Sequence, residues 1–198
     1  MKYLKLFEDY NEDIWKRMER YFSLKIHKIS QRLNIDVAEK LSNEVYKLDD
    51  GRVIKITSSE SEYDISKALL KKPNKHFPKI YYTEETPEID GWYTIIKEYV
   101  PDMPEEIRKK YLELEATVNE WCDDLEEDEL MAHKYLETLE GNATFIDYLE
   151  DDKPHLVQLY KDMINIVKYS ASLVHNEAVD IHDLNIGYNG VNLVLFDY

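Results

Sequence analysis

The sequence predicts an α+β chain in which a small antiparallel sheet forms in the first half and helices dominate the second. Three observations carry that expectation. Between residues 45 and 57 two β-rich runs, Val45-Tyr46-Lys47-Leu48 and Arg52-Val53-Ile54-Lys55-Ile56-Thr57, flank Asp49-Asp50-Gly51, and an Asp-Gly turn between such runs is a strong hairpin signal. Beyond Pro101 the apolar residues recur every three or four positions, the period of one helix face. No glycine precedes Gly51 and no proline precedes Pro73, so nothing breaks an opening helix.

The elements follow in order. From Asp9 to Leu33, Ile14, Met18, Tyr21 or Phe22, and Lys25 or Ile26 keep helical spacing, which predicts a leading helix. After the hairpin, Ser58 or Ser59 caps a helix whose first turn carries Glu60 and Glu62, acids that suit the positive end of the helix dipole. That helix should bury Ile65, Ala68 and Leu69 and stop near Lys72-Pro73. Two more strands are predicted at Lys79–Thr83 and Gly91–Val100, the second closed by Pro101. The order so far is strand, strand, helix, strand, strand. Tyr111, Leu114, Val118, Trp121 and Leu125 then form one stripe beneath an acidic exterior, and Asn142 caps a short helix carrying Phe145, Ile146 and Leu149. Asp151-Asp152-Lys153-Pro154 reads as a break. Leu156, Leu159, Met163, Ile166, Ser170 and Leu173 make a core helix ending near His175-Asn176, and Ile186–Tyr188 and Val191–Phe196 form a closing hairpin about Asn189-Gly190.

Composition excludes several functions. With 198 residues, 43% of them hydrophobic, the chain can build one compact domain or two small lobes. A single cysteine, Cys122, excludes an internal disulfide framework and a cysteine-cluster zinc site. No apolar run approaches the roughly 20 residues of a membrane-spanning helix, and MKYLKLFEDYNED turns acidic where a signal peptide is apolar, so a cytoplasmic protein without membrane association is expected. The net charge of −16 is uneven. Residues 1–112 carry 21 charges of each sign, residues 113–152 carry fifteen acids against Lys134 alone, and residues 153–198 carry five acids against three lysines. No nucleic-acid partner is expected, because phosphate neutralisation needs clustered Lys and Arg. The acidic block 113–152 reads either as a solvated face or as a surface that docks a basic protein.

The chemistry gathers near the C-terminal end, in His175-Asn-Glu-Ala-Val-Asp180-Ile-His182-Asp-Leu-Asn185-Ile-Gly187 and the hairpin that runs to Asp197-Tyr198. An Asp, an amide five residues later and an Asp closing the next hairpin supply what phosphoryl transfer needs: oxygen ligands for Mg²⁺ and a carboxylate that accepts a hydroxyl proton. This segment resembles the catalytic loop and metal-binding segment of protein-kinase-like enzymes, where D-x-x-x-x-N precedes a hairpin ending in the D of D-F-G. Asp180-Ile-His182-x-x-Asn185 is closest to the D-L-H-x-x-N form of aminoglycoside-phosphotransferase-like kinases and of small phage-encoded kinase-like proteins.

The resemblance covers about residues 36–100 and 142–198 and implies a minimal two-lobed protein-kinase-like fold. Residues 1–35 would be a helical extension, 36–100 the N-lobe sheet with its helix, and 101–198 a reduced helical C-lobe with an acidic insertion at about 104–140. It implies Asp180 as catalytic base, His182 as a brace of the loop, and Asn185 and Asp197 as Mg²⁺ ligands. Gly51-Arg-Val-Ile-Lys55-Ile matches the lysine strand, so Lys55 would clamp the phosphates of ATP, with Glu62 before Glu60 as its ion-pair partner. Ile95–Val100, including Glu98, resembles the hinge whose backbone meets adenine. Two departures stand out: Glu39-Lys-Leu-Ser42-Asn43-Glu44-Val-Tyr has no glycine where a glycine-rich loop covers the phosphates, leaving Ser42 and Asn43 as substitute donors, and the chain given stops at Tyr198.

The function expected is Mg²⁺- and ATP-dependent phosphorylation of a hydroxyl acceptor, a protein before a small molecule. The alternative is a non-catalytic kinase-like binding protein, in a phage host-interference setting, whose acidic helices occupy a basic or DNA-binding partner surface in the host cytoplasm. A third reading takes His182-Asp183 as a metal-dependent phosphohydrolase pair, but such sites draw ligands from several helices and only fifteen residues follow Asp183.

Overall fold

A computed structural model describes residues 2–42, 44–86, 91–122, 131–140, 144–173, 181 and 185–197. Helix α1 spans Lys2–Leu33, followed by strands β1 (Val37–Lys40), β2 (Val45–Leu48) and β3 (Arg52–Thr57), helix α2 (Glu60–Lys71), and strands β4 (Ile80–Glu85) and β5 (Tyr93–Glu98). Helices α3 (Glu105–Trp121), α4 (Met131–Glu140), α5 (Thr144–Asp152) and α6 (Val157–Leu173) come next, then strands β6 (Ile186–Tyr188) and β7 (Leu193–Leu195). The fold is α+β. The chain divides into two compact units, one running to Tyr63 and including Tyr81–Tyr99, the other made of Asp64–Ile80 and the chain from Val100 on. Among the described residues no helix is long and apolar enough to cross a membrane.

In the first unit the sheet order is β1-β2-β3-β5-β4. The β2–β3 hairpin turns on Gly51, whose φ of 82° is a left-handed conformation that glycine adopts without strain. β3 and β5 pair antiparallel from Arg52↔Glu98 to Thr57↔Tyr93. One sheet face presents Tyr46, Leu48, Ile54, Ile56 and Ile96, and α1 covers it with Phe22, Ile26 and Ile29, spaced four and three apart. Burying those three side chains contributes roughly 5–9 kcal/mol as an upper estimate. Helix α1 thereby completes the core of this unit. Strand β1 was absent from the sequence reading, and the reason is physical. All four of its residues are exposed, so no alternation of apolar and polar positions betrays it.

In the second unit α3, α4, α5 and α6 pack together. Tyr111, Leu114 and Val118 of α3, Tyr135 of α4, Phe145 and Leu149 of α5, and Met163 and Ile166 of α6 are almost wholly buried. The acidic segment thus supplies core as well as surface: its acids at Glu113, Glu120, Asp147, Glu150, Asp151 and Asp152 are exposed while its apolar faces point inward. Its one lysine, Lys134, is buried and donates to Asn119 Oδ1 at 2.9 Å. Trp121 ends α3 half-exposed against Phe145 and Tyr148, and Leu125 and Asn142 lie outside the described residues. Residues 64–80 group with this unit.

Candidate functional site

In the first unit the residues of interest lie on the sheet face opposite α1. Pairing of Lys55 with Ile95, and of Val53 with Lys97, puts Lys55 and Lys97 on that face as diagonal neighbours across β3 and β5. The helix that meets them is fixed at its start by Ser59, whose Oγ accepts the Glu62 backbone N–H at 3.1 Å. This N-cap sets Glu62 in the first turn of α2, where its carboxylate receives both lysines: Lys55 Nζ at 2.9 Å on Oε2 and Lys97 Nζ at 3.2 Å on Oε1. Lys55, Glu62 and Lys97 are 9%, 1% and 4% exposed. Of the two candidate glutamates, Glu62 is thus the one paired with Lys55, while Glu60 is exposed.

Lys97 was not among the candidate residues. Its signal was in the sequence, since a lysine two positions from an apolar residue that faces Lys55 must share that face, but the β3–β5 register was needed to see it. The segment Ile95–Val100 also reads differently once folded. Through Glu98 it is a strand with sheet neighbours on both sides, Glu98 is exposed opposite Arg52, and the Tyr99 N–H donates to Gly51 O at 3.0 Å. The backbone of this segment is therefore committed to the sheet through Glu98, and the Tyr99 N–H to Gly51.

Ser42 lies in the turn between β1 and β2. Its backbone N–H donates to Val45 O at 3.1 Å, and its Oγ accepts the Glu44 N–H at 3.3 Å. Two of the groups proposed to replace a glycine-rich loop are therefore engaged in the turn itself, which leaves the Ser42 hydroxyl proton. Asn43 lies outside the described residues.

In the second unit the β6–β7 hairpin brings Asn185 and Asp197 to one end. Ile186 pairs with Leu195, and the Phe196 N–H donates to Asn185 O at 2.9 Å, so Asn185 lies opposite Phe196 with Asp197 the next residue along; Asn185 and Asp197 are both partly buried. Three features missed in the sequence hold this hairpin. Asp162, buried on α6, accepts the Leu193 N–H on Oδ2 at 3.1 Å and the Gln158 amide on Oδ1 at 2.9 Å. His76, also buried, donates from Nδ1 to Leu193 O at 3.2 Å, and its carbonyl accepts the Leu195 N–H at 3.0 Å. Gly187 permits close packing: a Cβ there would sit 2.4 Å from Pro101 O and 2.6 Å from Val100 Cγ1. The signal for Asp162 was an acid one position before Met163 on the most apolar helix, at a place where the stripe should stay apolar.

Asp180 and His182 lie outside the described residues, as do His175, Ala178 and Tyr198. Among the described residues no group of three or more His, Cys, Asp or Glu side chains is placed to hold a metal ion. Asn185 and Asp197 offer one neutral and one anionic oxygen donor. That hard pair suits Mg²⁺, which takes one or two protein oxygens and completes its shell with water and phosphate. Searched against known proteins, the chain matches no protein-family model and no curated protein.

Proposed function

We propose that this chain is a Mg²⁺- and ATP-dependent phosphotransferase of the protein-kinase-like superfamily, acting on a hydroxyl group of a protein. The observation that carries this reading is the buried Lys55–Glu62 pair at 2.9 Å, made by a strand and by the first turn of the following capped helix. A lysine that is held by a carboxylate and kept from water is a fixed cation, which is what phosphate oxygens require in a reaction governed by positioning and charge neutralisation. ATP and Mg²⁺ would supply the phosphoryl group and neutralise the charge on it. Lys55 would hold phosphate oxygens, Glu62 would orient Lys55, Asn185 and Asp197 would hold the metal, and Asp180 would accept the proton from the attacking hydroxyl. Nucleotide affinity measured with and without Mg²⁺, followed by a search for transferred γ-phosphate on candidate proteins, tests the proposal. Metal-dependent binding with transfer is the expected result, and absence of nucleotide binding in both conditions would refute it.

A second reading, a binding protein of the same fold without catalysis, draws on two observations. The Ser42 turn lacks glycine and spends donors on itself, and Lys97 competes with Lys55 for Glu62. In that case the exposed acids of residues 113–152 would engage a basic partner, and reversing Glu126, Glu127, Asp128 and Glu129 to lysine would cut partner capture in a salt-dependent manner. Nucleotide binding without transfer, together with such capture, would favour this reading.

A further inference from the structure

The most basic stretch of this acidic chain has no part in the nucleotide reading beyond His76, which also holds the β6–β7 hairpin. Residues 71–79, Lys-Lys-Pro-Asn-Lys-His-Phe-Pro-Lys, hold four lysines and no acid in a protein of net charge −16. Within the second unit this stretch and α6 border an open cavity of about 430 Å³, whose lining includes Lys75, His76, Asn165, Lys168 and Ser172. Its wall is fixed by Tyr169, which packs on Phe77 with ring centroids 5.1 Å apart and donates its hydroxyl to Lys72 O at 3.2 Å.

Two observations point to a ligand. Lys75 and Lys168 are exposed, and no carboxylate among the described residues pairs with either: Lys75 Nζ donates to the neutral Asn192 Oδ1 at 3.2 Å. Beside them His76 is only 2% exposed, and its Nε2 is buried without a hydrogen-bond partner among the described residues. A buried polar atom left unpaired is costly and calls for an explanation. The ring's tautomer narrows what would satisfy it. Nδ1 faces a carbonyl, which only accepts, so Nδ1 carries the proton and Nε2 of the neutral ring presents a lone pair. The complementary ligand combines anionic oxygens for the two lysines with an O–H for Nε2.

We propose that this cavity binds a phosphate group, as hydrogen phosphate or as the monoanion of a small phosphomonoester, with Lys75 and Lys168 receiving the anionic oxygens and His76 Nε2 accepting the P–O–H. The proposal is independent of the nucleotide reading, since it uses none of the residues that reading assigns to nucleotide or metal. The cavity is larger than a phosphate alone fills, which leaves room for a small carbon skeleton. Sulfate is the discriminating probe: it matches phosphate in shape but carries no proton at neutral pH, so it offers nothing to a lone pair.

The test follows the imidazole and backbone resonances of the full ¹⁵N-labelled chain at about pH 6, where inorganic phosphate and the ester both retain a P–O–H, during titration with inorganic phosphate, with glycerol 3-phosphate, and with sulfate at matched ionic strength. Both phosphates are expected to shift the His76 ring and the Lys75 and Lys168 amides, binding about tenfold or more tightly than sulfate, the worth of one charge-assisted hydrogen bond. Tighter binding of glycerol 3-phosphate would assign the ester as ligand, and tighter binding of phosphate would assign the free ion. Lys168→Glu, a change on an exposed helix position, should keep the melting temperature and weaken phosphate by about tenfold or more. Equal responses to phosphate and sulfate, shifts that bypass His76, or unchanged affinity in Lys168→Glu would overturn the proposal.

Discussion

Replacing Glu62 by glutamine keeps the shape of the side chain and removes one negative charge from between two ammonium groups. In the native protein the three groups sum to +1; in Glu62→Gln they sum to +2 around a neutral amide. Because Lys55 and Lys97 are 9% and 4% exposed, water makes a poor substitute for the lost carboxylate. Removing one partner from a buried ion pair costs roughly 3–5 kcal/mol, a large share of the roughly 5–15 kcal/mol that stabilises an ordinary domain. Lys97→Met is the control, since it removes one cation and keeps the Lys55–Glu62 ion pair. Buried ions replaced by apolar groups of similar volume are often neutral, so its loss should stay within about 1 kcal/mol. Urea denaturation at neutral pH reads both variants, and tryptophan fluorescence suits it because Trp92 packs 4.9 Å from Phe22 in the core of the same unit. The expected result is a much lower midpoint for Glu62→Gln and a midpoint near wild type for Lys97→Met. Equal losses in the two variants would refute the reasoning that losing the Glu62 carboxylate costs more than losing the second of its two cations.

Three further outcomes are expected. Gly187→Ala sets a methyl carbon 2.4 Å from a backbone oxygen that cannot swing away, so it should cost about 2 kcal/mol or more and perturb the amide of Asn185 in NMR spectra; a neutral effect would mean that the Pro101 segment yields freely. Asp162→Ala strips the Leu193 N–H and the Gln158 amide of their acceptor, and a loss of roughly 1.5–3 kcal/mol by denaturant melts, with faster hydrogen exchange at Leu193, should follow. For Glu84, burial alone would raise the carboxyl, but hydrogen bonds from Tyr82 and Lys25 outweigh burial and hold it below the usual carboxylate value. A group depressed in the folded state contributes stability above its unfolded value and loses it as pH falls through the folded one, so Glu84→Gln should flatten the acid limb of the stability profile below about pH 4.5 and leave its slope near pH 7 unchanged.

Much of the fold was legible because its signals are local. The Asp-Gly turn, the Ser59 cap with Glu62 three residues later, the Pro73 stop and the three-and-four spacing of α6 each act over a few residues, and each element stands where they place it. The Lys55–Glu62 pair was what the resemblance to the lysine strand and the helix after it implied, with Glu60 as the second candidate. What escaped depends on long-range pairing. Strand β1 has no buried residue and exists by pairing with β2; Lys97 joins Lys55 through the β3–β5 register; and Asp162 and His76 meet the last hairpin across 31 and 117 residues of sequence. The acidic block misled in a different way, since charge counts describe its exposed faces and conceal Leu114, Val118 and Tyr135, which build the helical core.

In the phosphotransferase proposed above, Asp197 would hold the metal and Asp180 would take the proton. The most direct measurement is the affinity for ATP, with and without Mg²⁺, of the wild-type chain, Asp197→Ala and Asp180→Ala, each then assayed for γ-phosphate transfer. Mg²⁺ is expected to tighten binding in wild type and in Asp180→Ala, Asp197→Ala to lose this enhancement, and both variants to lose transfer. Equal Mg²⁺ enhancement in wild type and Asp197→Ala would contradict this expectation.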